Sequence, residues 1–99
     1  MTTFEDKLRT LRQRFIERAA ADADAIETEA FAMRWAAVRD LSHSIVGRAG
    51  MFGFPALSDA AKRLEAAVEA GEEMGFLQML SEGLVSDLRK LSFSATGTP

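Results

Sequence analysis

The 99-residue chain has no cysteine and no tyrosine, one tryptophan, one histidine and two prolines. Without cysteine there is no disulfide framework, no zinc ribbon and no thiol nucleophile. A single histidine cannot build a three-histidine metal site. No apolar run approaches the length that crosses a bilayer, and charges begin at Glu5, so no secretory apolar stretch follows Met1. The expectation is a soluble cytoplasmic protein with no membrane association. The net charge of −3 supplies no broad positive field for gripping nucleic acid.

What is present points to a folded chain. Hydrophobic residues make up 47% and charged residues 27%, a balance that argues against disorder. The length suits one small domain that buries roughly two-thirds of its unfolded surface. Met1 and a short tail read as a whole small protein. Ala, Leu, Arg and Glu dominate and favour helix, with no alternating strand pattern, internal repeat or low-complexity tract.

Four amphipathic segments follow from apolar residues spaced by three and four. The first spans about Phe4 to Glu27, opened by Thr3 with Asp6 as a start signal. Its stripe is Leu8, Leu11, Phe15, Ala19, Ala23 and Ile26, with a break expected near Ala21, where Asp22 and Asp24 weaken the helix. The second runs from about Phe31 to Phe52, with Phe31, Trp35, Val38, Leu41, Ile45, Ala49 and Phe52 inward. Gly53-Phe54-Pro55 then turns the chain, and Pro55 suits the first position of a third helix. That helix buries Leu57, Ala60, Ala61, Leu64 and Val68 and closes at Gly71. The fourth runs from about Glu73 to Leu91 on Leu77, Leu80, Leu84, Leu88 and Leu91. Short connections make neighbours antiparallel, so the expected fold is all-α, an antiparallel four-helix bundle over residues 1–93, with 94–99 a frayed tail.

The lone histidine stands off this pattern. At about 100° per residue, His43 is roughly 160° from Ile45 and points away from the core stripe. Ala36, Arg39, Asp40, Val46, Gly47 and Gly50 fall within about 60° of it. Two glycines inside a helix cost about 1 kcal/mol each relative to Ala and strip side chains from the turns after the imidazole. Glycines can instead admit a neighbouring helix, but tight packing on this face would also bury His43, Arg39 and Asp40. An ordinary surface histidine is the plain alternative.

The run His43-Ser44-Ile45-Val46-Gly47-Arg48-Ala49-Gly50-Met51-Phe52-Gly53 resembles the signature of histidine-containing phosphotransfer (HPt) domains of bacterial two-component phosphorelays, approximately H-x-L-K-G-x-A-x-x-x-G. His43 matches the phosphorylated histidine and Gly47 the glycine one turn on. Ile45, Ala49 and Gly53 fit the apolar, small and turn positions. Phe54-Pro55-Ala56-Leu57 and Leu64-Glu65 resemble the start and later part of the family's next helix. One departure stands out: the family's usual Lys three residues after the histidine is Val46 here. Arg39, one turn before His43, is a candidate to replace it, as are Lys62 and Arg63 on the next helix, while Arg48 sits about 140° around on a flank. Asp40 would repel a phosphoryl group unless Arg39 neutralises it or it leans away.

The resemblance implies that His43 relays phosphate between receiver-domain aspartates, using the ring nitrogen farther from the backbone. An exposed imidazole, with an ordinary pKa of about 6.5, offers a neutral nucleophilic nitrogen near pH 7 without a buried base. With no Gly-rich phosphate loop and no evident metal cluster, the chain needs no cofactor of its own on this reading, and the receiver's carboxylates hold any Mg²⁺. Expected partners are receiver domains of response regulators and hybrid histidine kinases, met by a monomer. The docking surface would include Val46, Gly47 and Gly50, with Met51 and Phe54 as further candidates. The protein would be a phosphotransfer intermediate, with no kinase activity and no metal site. Alternatives are a non-catalytic helical module that binds receivers or kinases, and a helical scaffold whose basic segment Lys7, Arg9, Arg12, Arg14 and Arg18 meets an acidic partner. A nucleic-acid role is a remote form of the latter, and a haem or metal role for His43 with Met33 or Met51 lacks a second-ligand motif, the methionines being better core filler.

Overall fold

Thr3 opens the chain's first helix with a reciprocal cap: its hydroxyl accepts from the Asp6 amide while the Asp6 carboxylate accepts from the Thr3 amide. In the computed structural model, which describes residues 3–96 and side chains through Ser94, the elements are α1 (Phe4–Phe31), α2 (Trp35–Met51), α3 (Pro55–Glu69) and α4 (Met74–Thr96). No strand occurs among the described residues. Helix α1 packs on α2 and α4, and α3 packs on the same two, so α1 and α3 stand diagonally across the bundle, as do α2 and α4. The fold is an antiparallel four-helix bundle.

The core is built from one stripe of each helix: Phe15, Ala19, Ala23 and Ile26 of α1; Val38, Ile45 and Ala49 of α2; Leu57, Ala61 and Leu64 of α3; Leu84, Val85 and Leu88 of α4. Alanines on three of these stripes let the helix backbones draw close around the larger Ile, Leu and Phe side chains. Several expected details differ. Helix α1 does not break near Ala21 and continues to Phe31. Asp22 does not weaken it because its carboxylate is buried against Arg48 of α2, 3.2 Å away, which leaves it no reason to compete for the local backbone. Phe31 therefore belongs to α1 rather than α2, and it is 87% exposed instead of inward. Leu11 is also exposed. At 1.5 Å per residue α1 is about 42 Å long and α2 about 26 Å, and Arg12 already meets the α2–α3 turn, so the turns of α1 before it project past α2. Helix α4 runs through Thr96, past the expected end at about Leu91, so 94–96 are helical, while 97–99 of the expected frayed tail lie outside the described residues.

The three connections close by one device. After each of α1, α2 and α3, one residue takes a positive φ and the next amide returns to a carbonyl in the last turn: Arg34 N–H to Glu29, Phe54 N–H to Ala49, Glu72 N–H to Ala67. Gly53 and Gly71 fill the left-handed position without strain. Met33, at φ 57°, fills it after α1, where a side chain costs about 1 kcal/mol or more. The α2–α3 turn is further tied down from α1. Arg12 donates to the Phe52 carbonyl at 3.2 Å and lies over the Phe54 ring, and both rings pack on Phe15. On the opposite side of the bundle Arg89 of α4 grips Asp24 and Glu27 of α1, and its hydrogen bond and charge hold the Glu27 carboxyl below its ordinary range.

Candidate functional site

His43 sits in the middle of α2 with its side chain 75% exposed, on the side of the helix away from Val38, Ile45 and Ala49. The imidazole is not left to rotate. Its Nδ1 lies 2.6 Å from Oε2 of Glu65 on α3, and Glu65 is itself only 19% exposed. A carboxylate only accepts hydrogen bonds, so the proton between them is assigned to Nδ1, which donates to Glu65. In the neutral ring Nε2 then carries the lone pair and faces outward. The short contact is of the charge-assisted kind and fixes both tautomer and ring plane.

Glu65 reaches this position because α2 and α3 are joined by a short turn and run antiparallel. A second contact, two turns nearer that turn, sets the register: the Ser58 hydroxyl donates to the Val46 carbonyl at 2.9 Å, and a Cβ on Gly50 would lie 3.6 Å from Ser58 Oγ. Glu65 had been visible in the sequence only as part of the Leu64-Glu65 match. Its role depends on how two helices align across the Gly53 turn, which helical projection of α2 alone does not give.

The expected neighbours of His43 separate into distinct situations. A Cβ added to Gly47 would meet nothing within 4 Å, so this glycine admits no neighbouring helix and opens the face to solvent. Gly50 is exposed, with Ser58 at ordinary contact distance. Val46 is half-buried and packs on the core, so it offers only an edge to the surface, because α3 leans over this flank of α2. Arg39 turns to its chain neighbour: its Nε and one Nη both donate to Asp40 Oδ1, at 3.3 and 3.0 Å, which resolves the alternatives for Asp40 in favour of neutralisation. Arg48 faces the other way, bonded to Asp22 and Ser44 and lying over the Phe15 ring. Met51 is exposed, while Phe54 is half-buried against Phe15. The basic segment of α1 is partly committed within the molecule, with Arg9 paired to Asp6 and Arg12 latched on the α2–α3 turn.

Chemically the arrangement is an oriented nucleophile on an open surface. No group of three or more His, Cys, Asp or Glu able to hold a metal ion occurs among the described residues.

The four-helix bundle thus presents one exposed histidine held by a carboxylate of the next helix. In agreement, the family model of the Hpt domain matches residues 10–92, and the chain belongs to that family. Its members act in histidine phosphotransfer within phosphorelays and interact with receiver domains. No curated protein and no solved structure matched the chain. No helix among the described residues is long and apolar enough to cross a membrane.

Proposed function

We propose that this protein relays a phosphoryl group between the aspartates of receiver domains through Nε2 of His43, working as a cytoplasmic monomer in a two-component phosphorelay. The observation that carries the reading is the Glu65–Nδ1 contact, which leaves Nε2 as the nucleophile on a face that Gly47 keeps bare. Phosphoryl transfer asks mainly for in-line positioning and charge stabilisation, not for added acid or base groups. The Nε2 lone pair attacks phosphorus of an aspartyl phosphate. The Nε2–P bond forms, the Asp O–P bond breaks, and its electron pair leaves with the aspartate. No proton has to depart, because the positive charge gained by the ring is held against Glu65. The return step runs the same sequence backwards to a second aspartate.

On this reading the receiver's carboxylates bind any Mg²⁺, since His43 has no carboxylate cluster beside it. The docking face is centred on His43 and includes Gly47, Gly50, the edge of Val46 and exposed Met51. A patch of this modest size suits transient exchange. Incubation with phosphorylated receivers from its own organism should place acid-labile phosphate on the wild type and none on His43→Gln. If no receiver labels the wild type yet one binds it equally well after His43→Ala, the protein is a non-catalytic receiver-binding module.

A further inference from the structure

A phosphoryl group on Nε2 would stand beside the Glu65 carboxylate, two anions on one imidazole, and the arrangement calls for a cation on the open side. The helix that carries His43 does not supply one freely. Arg39 spends two donors on Asp40, and Arg48 is turned to the α1 flank and bonded to Asp22. Position 46 is a half-buried valine. Helix α3 offers Lys62 and Arg63, both exposed.

The register of the α2–α3 pair separates these two. His43 is level with Glu65, and Gly50 is level with Ser58. Counting along the antiparallel pair between those contacts, residue 62 is level with Val46, one turn beyond the histidine. Around α3, Lys62 is about 60° from Glu65 on the side away from buried Leu57, Ala61 and Leu64, whereas Arg63 is about 160° away. Residues three apart on a helix have Cβ atoms about 5–6 Å apart, so a flexible lysine there can swing its ammonium over the imidazole. Lys62 also makes no ion pair or hydrogen bond among the described residues, so nothing must be broken to recruit it.

We infer that Lys62 of α3 is the cation that meets the phosphoryl group on His43, taking from across the helix pair the place that Val46 leaves empty on α2. The inference rests on the proposed phosphotransfer function. In the transfer step written above the lysine neither gains nor loses a proton. It neutralises charge on the three phosphoryl oxygens as they pass between Nε2 and the aspartate.

The test measures transfer from one phosphorylated receiver to wild type, Lys62→Gln, Arg63→Gln, Arg39→Gln and the double variant Val46→Lys with Lys62→Gln. Lys62→Gln should slow transfer at least about tenfold, with Arg63→Gln within about twofold of wild type and Arg39→Gln slowed less than Lys62→Gln, since that change acts only by unmasking Asp40. The double variant should recover most of the rate, because it returns an ammonium to the same level from the facing helix. A Lys62→Gln protein that transfers at the wild-type rate overturns the assignment, as does a larger loss in Arg39→Gln or Arg63→Gln. A wild type that accepts no phosphate from any receiver overturns the relay reading instead, so the two failures are distinguishable. The wild type and the three single variants should share one helical circular dichroism spectrum and melting temperature, as expected for exposed substitutions, and the double variant should keep the helical spectrum. A slow Lys62→Gln variant that also melts early and is not rescued by Val46→Lys counts against the inference.

Discussion

Helix α2 carries two polar pairs on opposite flanks, and they are built to different ends. Towards α1, Arg48 and Asp22 meet at 3.2 Å with side chains 28% and 11% exposed, and the guanidinium also bonds Ser44 and lies over Phe15. Towards α3, His43 and Glu65 meet at 2.6 Å, with Glu65 covered and the imidazole open. In the first pair the cation's contacts are all made inside the bundle. In the second, one ring nitrogen is engaged and the other is left over. An ion pair that exhausts its partners holds helices together, whereas a pair that leaves one lone pair unspent at the surface can do chemistry.

Substitutions at four positions would break or sharpen that contrast. The largest effect is expected from His43→Gln, which should abolish acid-labile phosphorylation while leaving the melting temperature nearly unchanged, since the imidazole is exposed. Next is Asp22→Ala, expected to destabilise the fold by about 2 kcal/mol by stranding a mostly covered guanidinium. Chemical denaturation should show the loss, and transfer through His43 should persist wherever the variant stays folded. Glu65→Gln should do the reverse, slowing transfer about tenfold, as loss of a supporting carboxylate does around a reactive histidine, with stability within about 0.5 kcal/mol of wild type. If Glu65→Gln destabilises as much as Asp22→Ala and leaves transfer intact, the two pairs are alike and the contrast fails. The smallest effect belongs to Gly47→Ala, which should raise stability by up to about 1 kcal/mol because nothing in the fold needs the glycine there. The same change should slow transfer to a receiver, and Gly47→Leu should slow it further, since each side chain intrudes on the approach to Nε2.

The sequence made some of this legible and not the rest, for reasons that can be named. Periodicity located all four helices because each buries one stripe, and the same projection put His43 opposite the stripe of α2. Gly53 and Gly71 marked two helix ends because the left-handed position favours glycine. The end of α1 was hidden because Met33 occupies that position, and Phe31 falls in phase with the stripe of α2 although it finishes α1. Glu65 and the Asp22–Arg48 pair were not legible because each joins two helices, and a projection of one helix carries no information about its neighbour's register. The half-burial of Val46 was hidden for the same reason: angle alone groups it with His43, and its packing on the core depends on a neighbouring helix.

The Ser58 hydroxyl on the Val46 carbonyl has a consequence for how the site fails. Ser58 and Glu65 are one heptad apart on α3, so they act as the two pins of a vernier against α2. A shift of α3 along α2 by one residue's rise, about 1.5 Å, would pull both contacts off their marks at once and release the imidazole. The imidazole is thus a gauge of alignment between α2 and α3.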